Sequence, residues 1–157
     1  MAYDATTFRG AGTEIIRNGF WNYGSANTTV RDLIIGVQHH IYTVLSITFM
    51  NYKAIGSANV GCTVSLLGYE LEGGDSQQTI QIFRVPAVDG QGVFVWNDKF
   101  SFNGVEPTNF TGAMDGVDDQ DAIADQAQDT AQKLRMQKGD AADDWSVSIT
   151  YIDQNNA

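Results

Sequence analysis

The sequence predicts an all-β fold: an antiparallel β-sandwich, jelly-roll or Ig-like, of about eight strands with one inserted acidic helix. Short segments alternate apolar and polar residues with a period of two, and glycine-rich turns recur about every eight to twelve residues. The chain has 157 residues, 43% of them apolar, which is enough for one domain with its own core. Because so many half-apolar strands need a second covering sheet, a sandwich is favoured, and a closed barrel is the alternative.

The clearest strands are predicted in the middle and at the end of the chain. Residues 40–51 alternate throughout and are rich in β-branched side chains, as in a central strand. Residues 145–151 alternate most cleanly and place Trp145 on the apolar parity, so this ring is predicted to lie in the core. Shorter alternating runs predict further strands at residues 13–17, 29–35, 62–66, 78–85, 93–96 and 99–102.

Proline and glycine punctuate these strands. Pro86 has no N–H to donate and is predicted to end the strand before it, in which Ile80 and Ile82 share one side and Phe83 lies on the other. Residues 72–76 and 89–92 are predicted turns, because their glycines reach backbone conformations that other residues resist.

One segment departs from the β pattern. Residues 118–133 contain no glycine or proline, and Ile123, Ala127, Ala131 and Leu134 follow one another at helical spacing. Aspartates precede this stripe, and Lys133 and Arg135 end it, so the charges complement a helix dipole. The predicted organisation is an N-terminal arm at 1–28 and a sandwich domain at 29–153 with a helical insertion at about 107–132.

The charge balance argues against several classes of partner. Nine basic and nineteen acidic residues give a net charge of −10, which repels a nucleic-acid backbone.

No apolar run reaches the roughly 18 residues of a membrane span, and the first residues lack the features of a secretory signal. The single cysteine excludes an internal disulfide, so a soluble product made in a reducing cytoplasm is expected.

No catalytic, cofactor or metal site is predicted. Six aspartates between Asp115 and Asp129 suggest calcium, but their order differs from an EF-hand loop, and a helix start explains them. His39 and His40 are adjacent, so on a strand they face opposite sides and cannot share a metal. The glycine-rich patches lack the order of a phosphate loop. Cys62 shares its parity with apolar residues and is predicted to be an inert core residue.

Two aromatic sets suggest binding surfaces. Phe20, Trp21 and Tyr23 form a compact cluster between glycines in the predicted arm, as expected of an anchor pressed into a neighbouring subunit. The alternative is a sugar-stacking platform, for which rings would have to be exposed together. The candidate rings for such a platform are Trp21, Tyr23, Trp96 and Trp145.

With these strands placed, the chain resembles small β-sandwich virion proteins of tailed bacteriophages. A strand ending in Asn, an Ala-Thr-Val-like strand, a Val-x-x-Pro-Ala turn and a final Val-Ser strand recur in that order. Here they correspond in turn to residues 41–51, 62–66, 82–87, and finally 133–137 with 147–149. The likeness extends over about 40–106 and 133–153. The acidic insertion and the long arm depart from the pattern.

The resemblance implies a non-enzymatic bacteriophage virion structural protein, specifically a capsid decoration or cement subunit. A tail or baseplate module that binds host-surface carbohydrate is the alternative. The expected partners are other copies, with a trimer as the first guess, and other virion proteins such as the major capsid protein. No cofactor, nucleic acid or membrane is expected, and the expected location is the phage particle after synthesis in the host bacterial cytoplasm.

Overall fold

A computed structural model of the chain describes residues 14–24, 30–37, 39–69, 77–104 and 131–155. Across these ranges the backbone forms nine strands and no helix. The strands are β1 (Glu14–Tyr23), β2 (Val30–Ile35), β3 (His40–Asn51), β4 (Cys62–Tyr69), β5 (Gln77–Val85), β6 (Val93–Trp96), β7 (Phe100–Asn103), β8 (Lys133–Lys138) and β9 (Trp145–Asn155). The predicted all-β sandwich is confirmed, with nine strands in place of about eight.

The strands form two antiparallel sheets that enclose one core. The first sheet has the order β1-β9-β3, after which β6 and β7 both pair with β3. Strand β6 lies beside residues 47–50 and β7 beside residues 41–44, so the two short strands occupy one lane end to end. The second sheet has the order β2-β8-β4-β5.

The core is filled by the inward-facing side chains of both sheets. Trp145 is fully buried on β9, where its ring meets the Phe49 ring edge-on at a centroid distance of 6.2 Å. Phe49 also contacts Phe83 of the second sheet edge-on, which links the two layers. The prediction that Trp145 lies in the core is confirmed.

A polar network closes one end of the sandwich. The buried Lys138 ammonium donates hydrogen bonds to the backbone carbonyls of Gly24, Ala141 and Asp143 at 2.8 to 3.0 Å. Its Nζ atom also lies 4.7 Å from the centre of the Tyr23 ring. Because all three protons of the ammonium are bonded, these hydrogen bonds offset much of the free-energy cost of burying the cation.

The structure of β5 differs from the prediction in the sides on which its residues lie. The pairing of β4 with β5 shifts register between Val64 and Ser65, which is a β-bulge. Phe83 is buried and Ile82 packs against the core, whereas Ile80 is 48% exposed. The prediction that Ile80 and Ile82 oppose Phe83 is wrong, because a bulge interrupts the period of two.

The predicted helix is wrong at its C-terminal end. Lys133 and Arg135, expected to end the helix, lie in β8 with Leu134, and Ala131 just before it forms an isolated β-bridge. Residues 133–138 are extended because Leu134 and Met136 alternate into the core, and burial of that face outweighs a helical spacing made of small residues. The rest of the predicted helix, with the aspartates from Asp115 to Asp129, lies outside the described residues.

The predicted N-terminal arm also changes. Residues 14–23, assigned to that arm, form β1 and pair with β9 along their whole length. The weak strand signal at residues 13–17 marked the start of this strand. Residues 1–13 and 25–29 lie outside the described residues.

Replacing Trp145 by alanine should lower the free energy of unfolding by about 3 to 5 kcal/mol, because it empties the centre of the core. Chemical denaturation followed by circular dichroism measures this change. Thr150→Ala is the matched control on the outward parity of the same strand and should cost less than about 1 kcal/mol. Equal losses for the two variants would contradict the assignment of the parities.

Candidate functional site

The outer side of the five-stranded sheet forms a surface that we call the neutral face. Its residues alternate along β1, β3, β6, β7 and β9 with the side chains that point into the sandwich. Glu14, at the end of β1, is the one charged residue at the outward positions of these strands. The neutral face comprises Ile16, Asn18, Phe20, Asn22, Ile41, Thr43, Ser46, Thr48, Met50, Val93, Val95, Ser101, Asn103, Ser146, Ser148, Thr150, Ile152 and Gln154.

The opposite outer surface is charged. On the four-stranded sheet, Asp32 accepts hydrogen bonds from Arg135 at 2.9 Å and lies 3.8 Å from the Lys133 ammonium. Arg84 is also exposed on this side, next to Thr63 across the pairing of β4 with β5. The two outer surfaces therefore differ in kind, and the absence of charge on the neutral face is not a property of the whole strand surface.

Polar groups on the neutral face are bonded to one another across the strands. Ser146 donates a hydrogen bond to Asn22 at 3.0 Å, and Thr150 donates one to Asn18 at 2.9 Å. The hydroxyls of Thr43 and Ser101 lie 2.9 Å apart. Because these groups already satisfy one another, covering them with another protein costs less than covering polar groups that depend on water.

Apolar side chains stand out from this hydroxyl-rich sheet. Phe20 is 76% exposed and Ile16 is 68% exposed, both on β1. Val93 and Val95 of β6 are also exposed, on the far side of the sheet. The mixture of exposed apolar groups and satisfied hydroxyls is typical of a surface that binds protein, not of one that remains in water.

The neutral face is large enough for a stable contact. The eleven residues of β9 span about 36 Å, and four lanes of strands span about 19 Å. The face therefore covers roughly 700 Å², which is close to the ~800 Å² that each partner contributes to a specific interface.

The three predicted contact residues are not brought together. Tyr23 is fully buried, and Trp21 packs against the core with its ring over Gly19. Phe20 points the other way and lies on the neutral face opposite Ser148. The structure therefore corrects the assignment of Tyr23 and Trp21 as contacts, because neighbouring strand residues face opposite sides, and it leaves Phe20 as an exposed candidate.

An aromatic platform for sugars is absent from the described residues. Trp145 lies in the core, and Trp96 stacks on Phe83 with the ring centres 4.1 Å apart. Trp21 packs on the inner side of β1. The indole rings are thus engaged by protein. The carbohydrate alternative requires rings that share one exposed surface, and these three do not.

An ionic cluster fastens three strands at the opposite end from Trp145. Asp153 accepts a hydrogen bond from Arg17 Nε at 2.8 Å, and its other oxygen lies 2.6 Å from His40 Nδ1. Burial, together with the nearby Asp153 carboxylate, raises the pKa of the Tyr42 hydroxyl to about 12. The cluster joins β1 and β3 to β9, and its groups are occupied by one another.

Cys62 is a core residue, as predicted. Its side chain is buried, and burial raises the pKa of the thiol to about 12, with a further contribution from the Asp143 carboxylate. A thiol in this state is neutral at physiological pH and unreactive. Among the described residues, no group of three His, Cys, Asp or Glu side chains is placed to hold a metal ion.

The sequence analysis missed the neutral face. Its signal was present in the outward parity of β9, where Ser146, Ser148 and Thr150 follow one another, but the charge-free character emerges only when several strands are placed side by side. Within the described ranges, no helix is long and apolar enough to cross a lipid bilayer.

Comparison with known proteins gives a distant structural likeness. No family model and no curated protein matches the chain. A solved structure described as "Bacillus endospore appendages form a novel family of disulfide-linked pili" matches with a TM-score of 0.41 and 11% identity, covering 98% of each chain. The likeness is too distant to support an argument about function.

Folding keeps the Cys62 thiol neutral, so the stability of the protein should depend on pH in the alkaline range. The unfolded thiol loses its proton near pH 9 and the folded thiol only near pH 12, so this contribution is complete below pH 9 and is lost as the pH rises. Between pH 9 and about 10.5 the free energy of unfolding should fall by about 2 kcal/mol through this group.

Denaturant titrations of the wild type and Cys62→Ala over this range measure the effect. The variant should be less stable below pH 9, but its stability should fall less steeply above pH 9 because the thiol is gone, so the two curves should converge as the pH rises. Parallel curves for the two proteins would show that the thiol is not buried.

Proposed function

We propose that this chain is a non-enzymatic structural subunit of a bacteriophage particle, and specifically a capsid decoration or cement subunit. The observation that carries the proposal is the neutral face, a large and nearly charge-free sheet surface on a chain with a net charge of −10. The resemblance of the strand segments to small virion sandwich proteins is the reason for proposing a bacteriophage particle as the assembly that this face contacts.

The charge distribution explains why this face would meet the particle. A strongly acidic subunit is repelled by other acidic surfaces, and the repulsion weakens where its own surface carries no charge. The neutral face also presents exposed Phe20 and Ile16 among hydroxyls that are already bonded. The partner surface on the shell protein should therefore be uncharged and partly apolar, and the acidic remainder would keep the assembled particle soluble.

Several titratable side chains are engaged in contacts that stabilise the fold. Arg17, His40 and Asp153 hold strands together, and the Lys138 ammonium is bound by three carbonyls. Cys62 is held neutral in the core. Each of these groups has a structural partner, which supports a rigid building block.

Carbohydrate binding is the weaker candidate. It depends on several exposed rings at one place, and the indoles of Trp21, Trp96 and Trp145 are packed against protein. The remaining exposed ring of the predicted cluster, Phe20, stands on the neutral face among hydroxyl side chains and has no neighbouring carboxylate on that face apart from Glu14 at the strand end.

A charge placed at the centre of the neutral face should prevent attachment to the particle. Ser148 lies between Phe20 and Thr48 across the strands, and Ser148→Glu would bury a carboxylate without a partner. Purified protein is added to particles that lack this chain, and the bound copies are counted after sedimentation. The Ser148→Glu variant should bind at least about tenfold more weakly than the wild type, which corresponds to about 1.4 kcal/mol.

Thr63→Glu is the matched control. It adds the same charge at a half-buried hydroxyl position on the opposite outer surface, next to Arg84, and it should bind like the wild type. Equal binding of the two variants would show that the neutral face does not contact the particle. Failure of the wild type to bind, together with its absence from purified native particles, would overturn the proposed function.

A further inference from the structure

Strand β1 is an open edge of the five-stranded sheet. It pairs with β9 on one side, and the described part of the chain places no strand on its other side. An edge of this kind presents a row of backbone donors and acceptors that can pair with another strand. Its ten residues make it one of the longer strands of the fold.

The edge carries only two of the usual features that prevent pairing, the inward-pointing Arg17 and the charged Glu14 at its end. It contains no proline and no lysine, and its register with β9 is continuous from Glu14 to Tyr23 without a bulge. Its cation, Arg17, is on the inward parity and bound to Asp153. Apolar side chains are exposed on both sides of the strand, with Ile15 46% exposed on the inner side and Ile16 and Phe20 on the outer side.

We propose that a second copy of the chain pairs with this edge, β1 against β1 in antiparallel orientation, across a two-fold axis centred on Asn18. In this register Ile16 faces the partner's Phe20, and Phe20 faces the partner's Ile16, on either side of the two Asn18 residues. An antiparallel pair with its axis perpendicular to the sheet keeps the outer side of both copies on the same side.

The neighbouring registers that preserve the two sides are less favourable. An axis at Arg17 would place two guanidinium groups directly opposite each other, which is destabilising. An axis at Gly19 would place the exposed Phe20 opposite the partner's Asn18 and would leave no apolar pair on the outer side of the strand. Of the three registers, the one at Asn18 alone joins apolar to apolar residues on that side.

The sequence of β1 is complementary to itself in the Asn18 register, and this favours a second copy as the occupant. Two chains of net charge −10 repel each other over most of their surfaces. In the Asn18 register the two charged residues of β1 meet uncharged ones, since Glu14 faces the partner's Asn22 and Arg17 faces the partner's Gly19. The pairing therefore brings two acidic chains together along a line that holds no opposed like charges.

A single cysteine at the axis tests this register. In Asn18→Cys the two new thiols face each other with Cα atoms about 4.5 to 5.5 Å apart, within the range of a disulfide. Under mild oxidation the variant should form a covalent dimer at least about tenfold faster than Asn22→Cys. In that control the two thiols would be about 27 Å apart in the same register.

The two variants are closely matched. Both replace an asparagine on the outward parity of β1, and both remove one hydrogen bond from a hydroxyl of β9. The buried Cys62 thiol does not compete in either chain. Similar crosslinking of both variants, or crosslinking of neither, would overturn the proposal, and so would a wild-type chain that sediments as a monomer at about 100 μM.

Paired charges give a second measurement of the register. The double variant I16E/F20K places opposite charges across the axis, whereas I16K/F20K places like charges there with a similar loss of apolar surface. The dissociation constant of the first dimer should be about 5- to 30-fold lower at low salt, and equal constants would contradict the register.

This inference goes beyond the proposed function and can fail separately from it. Wild-type protein that attaches to particles while Asn18→Cys does not crosslink would overturn the edge pairing alone. A crosslinked dimer from a chain that is absent from native particles would overturn the proposed function alone.

Discussion

The pairing of β3 with β9 is the constraint on which the rest of the structure depends. β9 also carries β1, and β3 also carries β6 and β7, so every strand of the larger sheet is joined directly to one of these two. The two strands are far apart in the chain, so their pairing is a long-range contact that carries a large entropic cost of loop closure. The same pairing brings Phe49 and Trp145 together at the centre of the core. Its loss would remove both the sheet and the packing that holds the second sheet against it.

Alternation along the strands of the larger sheet places two different sets of side chains on its inner and outer sides. The inward parity carries rings and aliphatic groups of the core, and also the Arg17–Asp153–His40 cluster. The outward parity of the same strands carries hydroxyl, amide and apolar groups. Charges on the larger sheet are therefore directed into the sandwich, as in the Arg17–Asp153–His40 cluster, or placed at a strand end, as with Glu14. The neutral face is a direct result of this sorting, since a single-residue register slip would exchange the two sets.

Most of the fold could be predicted because long alternating segments such as β3 and β9 specify strands, and in β9 they also specify the parity. In β3 a bulge at Leu45 switches the parity, so Tyr42 and Val44 are buried together with Ile47 and Phe49. Shorter elements were harder. β1 combines adjacent isoleucines with asparagine and glycine, and it is ordered by its pairing with β9, a non-local contact that local sequence does not reveal. β8 was partly mistaken for a helix end, because Ala131 and Leu134 match a helical spacing while Leu134 and Met136 also match a strand. The bulge in β5 left no local signal.

For the site, only Phe20 of the three proposed contacts remains exposed, because the parity of β1 was unknown before its strand was placed.

The open edge and the neutral face are compatible because they lie in different directions. Pairing through β1 uses groups in the plane of the sheet, whereas the neutral face points perpendicular to it. A two-fold axis perpendicular to the sheet would therefore place two neutral faces side by side on one surface and double the area offered to the particle to roughly 1,400 Å². Attachment through two linked faces is stronger than attachment through one, since the second contact forms at a high effective concentration. A dimer of this kind could bind a repeating shell firmly although each face alone is only of modest size. Under the proposed function, the particle's own symmetry would decide whether both faces engage. The proposed dimer would then fit a two-fold position on the shell, in place of the three-fold one that a trimer would occupy.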